Sequence, residues 1–275
     1  MLHQSIDKLR AMRLTGMARA LEEQLGQADS GRLSFDERLG MLIDREETER
    51  HNAALAQRLR VARLRQAVCL EDVDYRTPRG LDRSLMRALA GGKWLHEHNN
   101  ALVLGPTGAG KSFIACALGN QAARDGHSVR YQRLSRLLDE LAMARADGRS
   151  ARLLARLAKL RVLIIDDWLM AKLTGDQRRD LMEVIDDRYQ RASTVLATQI
   201  PLDRWHEQIG DPTYADSIMD RLVHNAYRIE LRGGSMRAQR DLSTDEKTNL
   251  NKDIEQLIPD THTLHRRSAA TSKKD

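Results

Sequence analysis

Apolar residues follow two different rhythms along this 275-residue chain, and the change between them outlines the fold. In the first ninety or so residues they recur every three to five positions, at Leu9, Met12, Met17, Leu21 and Leu25. After a polar break from Gln27 to Gly31 they return at Leu39, Leu42, Ile43, Leu55, Leu59 and Ala62. That spacing predicts helices with one buried stripe. Ser34-Phe35-Asp36-Glu37 reads as a capping box opening the second stretch. Further on, Ala101-Leu102-Val103-Leu104 and Val162-Leu163-Ile164-Ile165 are continuous apolar runs too short for a helix, as expected of strands covered on both faces.

Around these runs helical and strand patterns alternate. Helices are expected from Lys111 to near Arg124, through Leu134, Leu137, Leu138 and Leu141 to Asp147-Gly148, from Ser150 onward, and around Asp176 to Gln190. Strands are expected from His127 to Tyr131 and from Thr194 to Thr198. The alternation predicts an α/β fold with a doubly wound parallel sheet. Turn signals at Thr77-Pro78-Arg79-Gly80 and Gly91-Gly92 place the expected boundaries: a helical domain over 1–92, a sheet domain over 93–240 and a polar, disordered tail over 241–275.

Candidate chemistry begins where the first apolar run ends. Residues Gly105-Pro106-Thr107-Gly108-Ala109-Gly110-Lys111-Ser112 form a complete G-x-x-x-x-G-K-S phosphate loop between a predicted strand and a predicted helix. Backbone N–H groups and the helix N-terminus there aim at one anion, Lys111 would reach the β- and γ-phosphates, and the Ser112 hydroxyl would ligate Mg²⁺. Phe113 continues the nucleotide-binding set into the helix. The second run ends in Asp166-Asp167, carboxylates at the C-terminal end of a parallel strand, where ligands of such sheets bind. Asp166 would hold Mg²⁺, and Asp167 would polarise the water that attacks the γ-phosphate. Thr198-Gln199, at the end of the next strand, is a candidate for orienting that water. Arg221 lies within a helical stretch, Ser217 to Leu222, where spacing alone reads as a surface pair centred on Asp220.

Composition excludes more than it selects. The two cysteines, Cys69 and Cys116, are too few for a disulfide framework or a zinc site. No run approaches a membrane span and the N-terminus lacks a signal-peptide core, so a cytoplasmic protein without a membrane partner is expected. The net charge of +6 is unevenly placed. Arg58, Arg60, Arg63 and Arg65 fall in a stretch without acids, and Arg145, Arg149, Arg152, Arg156, Lys159 and Arg161 stand against Asp147 alone. The run from Arg145 to Lys159 would share one helical face if the break at Gly148 is small, and such a stripe suits a polyanion. Aromatic residues are only 4%, which disfavours a stacking platform for single strands and favours contact with the backbone of duplex DNA.

The phosphate loop, Asp166-Asp167-Trp168 and above all the stretch Ile209 to Leu231 resemble the AAA+ ATPases and, more closely, the IstB transposition helpers of insertion sequences, themselves similar to the helicase loader DnaC. The resemblance reaches about Arg237 and includes Leu14-Thr15-Gly16-Met17 and Cys69 to Tyr75. It implies an ATP- and Mg²⁺-dependent ATPase that assembles as a homo-oligomer on double-stranded DNA, recruits a transposase and promotes target-site selection. On that reading Arg221 is the arginine finger supplied to a neighbouring subunit, with Lys111, Asp167 and Thr198 as the other catalytic residues, and Arg237 a second sensor of nucleotide. The region after the second strand would face a DNA channel, giving Arg133, Arg136, Arg145, Arg149, Arg152 and Arg156 as DNA contacts, with Arg58 and Arg63 adding a second set. Two positions depart from the broad AAA+ pattern: the usual catalytic glutamate is Asp167, and the sensor position holds Thr198-Gln199 where asparagine is common. The alternatives are a DnaC-like helicase loader, a scaffold in which ATP only locks an assembly, and a small-molecule kinase, which would need a lid and an acceptor pocket.

Overall fold

The computed structural model describes residues 2–27, 32–234 and 236. Arg237 and the expected tail over 241–275 lie outside the described residues. Among the described residues the N-terminal region holds the helices α1 (Leu2–Ala11), α2 (Thr15–Gly26) and α3 (Phe35–Ala62). The single stripe from Leu9 to Leu25 is thus divided, because Arg13 takes a left-handed conformation at φ +61° and turns the chain between α1 and α2. The capping box forms as expected: the Glu37 N–H donates to Ser34 Oγ at 3.3 Å, and the Ser34 N–H donates to Glu37 Oε2 at 2.8 Å. Helices α2 and α3 meet at Gly16, where a Cβ would lie 2.7 Å from the Glu46 Cα. There the Glu46 carboxylate, only 7% exposed, accepts the free N–H groups of Gly16 and Met17 at 2.8 and 3.2 Å.

Two short helices, α4 (Arg83–Ala90) and α5 (Lys93–His96), lead to β1 (Asn100–Leu104). The remaining order is α6 (Lys111–Arg124), β2 (Val129–Arg133), α7 (Leu134–Ala146), α8 (Ser150–Ala158), β3 (Val162–Asp166), α9 (Gly175–Arg188), β4 (Ser193–Thr198), α10 (Trp205–Ile209), α11 (Pro212–Val223) and β5 (Ala226–Glu230). All five strands are parallel, in the order β2-β3-β4-β1-β5. Strand β5 was not expected. It is an edge strand in which only Ile229 is buried, so its sequence shows neither a continuous apolar run nor a strong alternation.

The pleat explains why β1, β3 and β4 are apolar throughout: alternate residues enter different cores. Ala101, Val103, Ile164 and Val195 face α6 and the segment from the end of α3 to α5. Leu102, Leu163, Ile165 and Leu196 face α7, α8, α9 and α11. The first core takes in Ala62, Val73, Met86, Leu89 and Trp94. It therefore runs across the expected boundary at 92/93, and residues from the end of α3 onward pack as part of the sheet domain. Gly91-Gly92 is a turn inside this packed unit.

Replacing Gly16 by Val forces α2 away from α3. Loss of about 1–3 kcal/mol of stability is expected, measured by chemical unfolding and by hydrogen exchange in residues 15–26; unchanged protection there would mean that the crossing tolerates the side chain.

Candidate nucleotide site and the adjoining basic groove

The loop from Gly105 to Gly110 joins the end of β1 to the start of α6, the position from which helical N–H groups and the helix dipole favour an anion. Gly110, the N-cap of α6, sits at φ +97°, and a Cβ there would be 2.6 Å from the Arg79 guanidinium. The backbone conformation favours glycine there, and a side chain would also push against the Arg79 guanidinium. Lys111 Nζ donates to the Pro106 carbonyl at 2.8 Å.

Ser112, in the first turn of α6, donates from Oγ to Asp166 Oδ2 at 2.6 Å. Asp166 ends β3 and is 1% exposed. The same Oδ2 accepts the Tyr131 hydroxyl at 2.6 Å and lies 3.7 Å from Arg65 Nη1, while Oδ1 accepts the Asp167 N–H at 2.9 Å. Burial first, and the bond to this carboxylate second, hold the Tyr131 hydroxyl far above its ordinary pKa, so it stays a donor. Burial opposes the charge on Arg65, but its hydrogen bond to Tyr131 and the nearby carboxylates outweigh that and keep it protonated. A buried carboxylate oxygen against a serine hydroxyl is a hard oxygen pair of the kind that fits Mg²⁺. Ser112 and Asp166 would hold the ion there.

Asp167 follows the strand in a left-handed conformation at φ +55° and pairs with Arg133 at 3.3 Å. Thr198, by contrast, is committed elsewhere. Its hydroxyl donates to the Trp168 carbonyl at 2.7 Å and accepts the Ile200 N–H at 3.0 Å, and it is 1% exposed. Gln199 is the residue of that pair that reaches the phosphate loop, accepting the Thr107 hydroxyl. The sequence puts Thr198 forward as the catalytic residue of the pair, but period-two alternation sends neighbours to opposite sides of a strand, and it is Gln199 that meets the loop.

Arg221 is remote from this cluster in its own chain. Its Nε pairs with Asp186 at 2.8 Å, not with Asp220, and its carbonyl accepts the Asn100 side-chain amide at the opposite end of β1 from the loop. A five-residue strand separates the two by about 13 Å.

The other wall of the cleft comes from a segment that the sequence placed in a different domain. Gln66, Asp72, Asp74 and Arg79 line it together with Gly108, Lys111 and Phe113, and Met236 closes it through an N–H bond to the Gly108 carbonyl at 3.0 Å. Arg79 is 4% exposed and donates to the Ala109 carbonyl at 3.2 Å and the Asp74 carbonyl at 3.0 Å. Burial lowers its pKa. The turn signal at Thr77 to Gly80 marked this segment, but nothing in its composition pointed to a nucleotide.

Beyond Tyr131 opens a groove of about 770 Å³ that gathers Arg63, Arg130, Arg136, Arg149, Arg152 and Arg156. Five of the eight predicted DNA contacts thus come together, joined by Arg130. Among the described residues Arg63, Arg136 and Arg152 make no ion pair, while Glu140 binds Arg130, Gln132 and Arg156. The three others point elsewhere. Arg58 donates to the Ala123 carbonyl at 2.8 Å, Arg133 pairs with Asp167, and Arg145 pairs with Asp180 and, at 3.5 Å, with Asp176. The single-face stripe fails because Gly148 at φ +68° ends α7 and redirects the chain into α8.

The family described as IstB-like ATP binding protein matches residues 7–244. An insertion sequence ATP-binding protein of Sinorhizobium fredii, y4pL, is 52% identical over 235 residues, covering 86% of this chain and 96% of that protein. The insertion sequence IS21 ATP-binding protein of Pseudomonas aeruginosa is 32% identical over 236 residues, covering 86% and 89%. AMPPCP-bound DnaA from Aquifex aeolicus is similar in fold alone, with a TM-score of 0.51 at 16% identity over 61% of this chain and 51% of that one.

Replacing Arg79 by Ala unties the phosphate loop from the segment over it. Affinity for a non-hydrolysable ATP analogue, measured calorimetrically, is expected to fall about tenfold, roughly one charge-assisted hydrogen bond. Full affinity would show that the loop keeps its shape unaided.

Proposed function

Because the chain belongs to the IstB-like ATP-binding protein family of insertion sequences, we propose that it is the ATP-hydrolysing, DNA-binding helper of a transposase. In this reading it acts in the cytoplasm, assembles on duplex DNA with ATP between subunits, and directs the transposase to its target. The phosphate loop and Lys111 bind the triphosphate, and Asp167 orients the lytic water. A Mg²⁺ ion held by Ser112 and Asp166 would neutralise charge on the β- and γ-phosphates. Gln199, hydrogen-bonded to the loop through Thr107, is better placed than Thr198 to respond to the terminal phosphate. Arg221 is too far from its own loop to act there, which supports a role on a neighbouring copy, where its guanidinium would exchange Asp186 for the transferred phosphoryl group.

The observation that carries the DNA reading is the junction at Tyr131. This residue lines the basic groove and donates its hydroxyl to the carboxylate proposed to hold the metal, so groove and nucleotide site share a residue. Arginines without acidic partners suit a phosphate backbone, which carries no sequence code. The kinase alternative has less support, since the groove that adjoins the nucleotide site at Tyr131 is wide and rich in arginine and not a closed acceptor pocket.

Two experiments test this. Lys111→Ala should abolish measurable ATP binding and turnover; retained nucleotide uptake would refute the site. Replacing Arg149, Arg152 and Arg156 together by Ala should reduce the slope of log affinity against log salt for a short duplex by about 2 to 3, each phosphate contact contributing about 0.9. An unchanged slope would mean that the groove is only solvated.

A further inference from the structure

Three side chains from separate parts of the chain converge on one oxygen, Asp166 Oδ2: Ser112 from α6 and Tyr131 from β2 donate hydrogen bonds to it at 2.6 Å, and Arg65, from the bend that follows α3, stands 3.7 Å away as an ion pair. Only Arg65 brings a full positive charge. Its side chain is 33% exposed, so it has somewhere to go, whereas Asp166 at 2% side-chain exposure does not. The bend carrying Arg65 is short and touches everything near it. Arg63, the left-handed C-cap of α3 at φ +52°, lines the basic groove, and Gln66 lines the nucleotide cleft. Within four residues the chain therefore passes from groove to carboxylate to cleft.

We propose that Arg65 is a built-in counter-cation of Asp166 that yields to the divalent ion arriving with nucleotide, and that the released guanidinium joins Arg63 on the wall of the groove as an added phosphate contact. This rests on reading Asp166 as the metal-site carboxylate and the groove as the DNA surface. The physics is competition for one carboxylate oxygen. A buried carboxylate left without a cation is costly, which Arg65 prevents before loading. Once a divalent charge sits within a few ångströms, the guanidinium is repelled and the oxygen is taken. A surface arginine next to the groove then gains most by binding a backbone phosphate. Nucleotide loading would in this way raise DNA affinity without any rearrangement of the sheet.

The test uses the full chain with a fluorescent ATP analogue, comparing wild type with R65A and R65K. In R65A the Mg²⁺ concentration for half-maximal binding of the analogue should fall about two- to fivefold, as for loss of a partly exposed ion pair. R65K should lie between R65A and wild type. For a short duplex, loading the wild type with Mg²⁺ and analogue should steepen the salt slope by about 0.9, and R65A should show no such change. A Mg²⁺ requirement in R65A equal to or above that of wild type overturns the competition. A wild-type slope that stays constant on loading, with duplex binding intact, overturns the transfer to the groove. No duplex binding by the wild type under any condition refutes the DNA reading and with it the transfer, while the Mg²⁺ titration still decides the competition independently.

Discussion

The hydrogen bond from Ser112 to Asp166 is the contact on which the arrangement of the site depends. It joins the helix after β1 to the tip of β3, two strands that are not neighbours, since β4 runs between them. For the two oxygens to meet, the sheet must keep its register, and the register is held by side chains buried on both faces. The apolar runs that define the strands and the polar pair at their ends are therefore one constraint viewed at two scales. A slip of one residue in β3 would exchange its two cores and swing the carboxylate away from the loop.

Around that bond the site is built from more of the chain than a phosphate loop and a strand end. Residues between Gln66 and Arg79 form its second wall, and Arg79 stitches that wall to the loop carbonyl of Ala109. The helical N-terminal region thus enters the nucleotide site instead of standing beside it. The last part of α3 is shared between the sheet core, through Leu59 and Ala62, and the groove, through Arg63.

What was legible in the sequence follows from how local each feature is. The phosphate loop, the strand ending in Asp166 and the capping box at Ser34 are set by neighbours in the chain, and all formed as the pattern required. Features decided by distant packing were harder to see. Strand β5 exposes most of its residues at a sheet edge, and only its pairing with β1 identifies it. Arg79 and Tyr131 owe their positions to contacts more than thirty residues away, or just at that distance, and no spacing rule reports those. The arginine stripe failed for the reverse reason: helical periodicity was carried through Gly148, where the backbone leaves the helix. Between Thr198 and Gln199 the side facing the loop turned on the pleat alone, and the buried hydroxyl is the one that the fold consumes.

The placement of Arg221 has a geometric consequence. The phosphate loop lies at the carboxyl edge of the sheet and Arg221 packs at the amino edge. A guanidinium at one end and a triphosphate cradle at the other make each subunit polar, like a plug with its socket on the opposite side. On the proposed reading, in which Arg221 acts on a neighbouring copy, a front-to-back series suits that polarity: closed into a circle it completes every cradle, and left open as a winding filament it leaves the terminal one without its arginine.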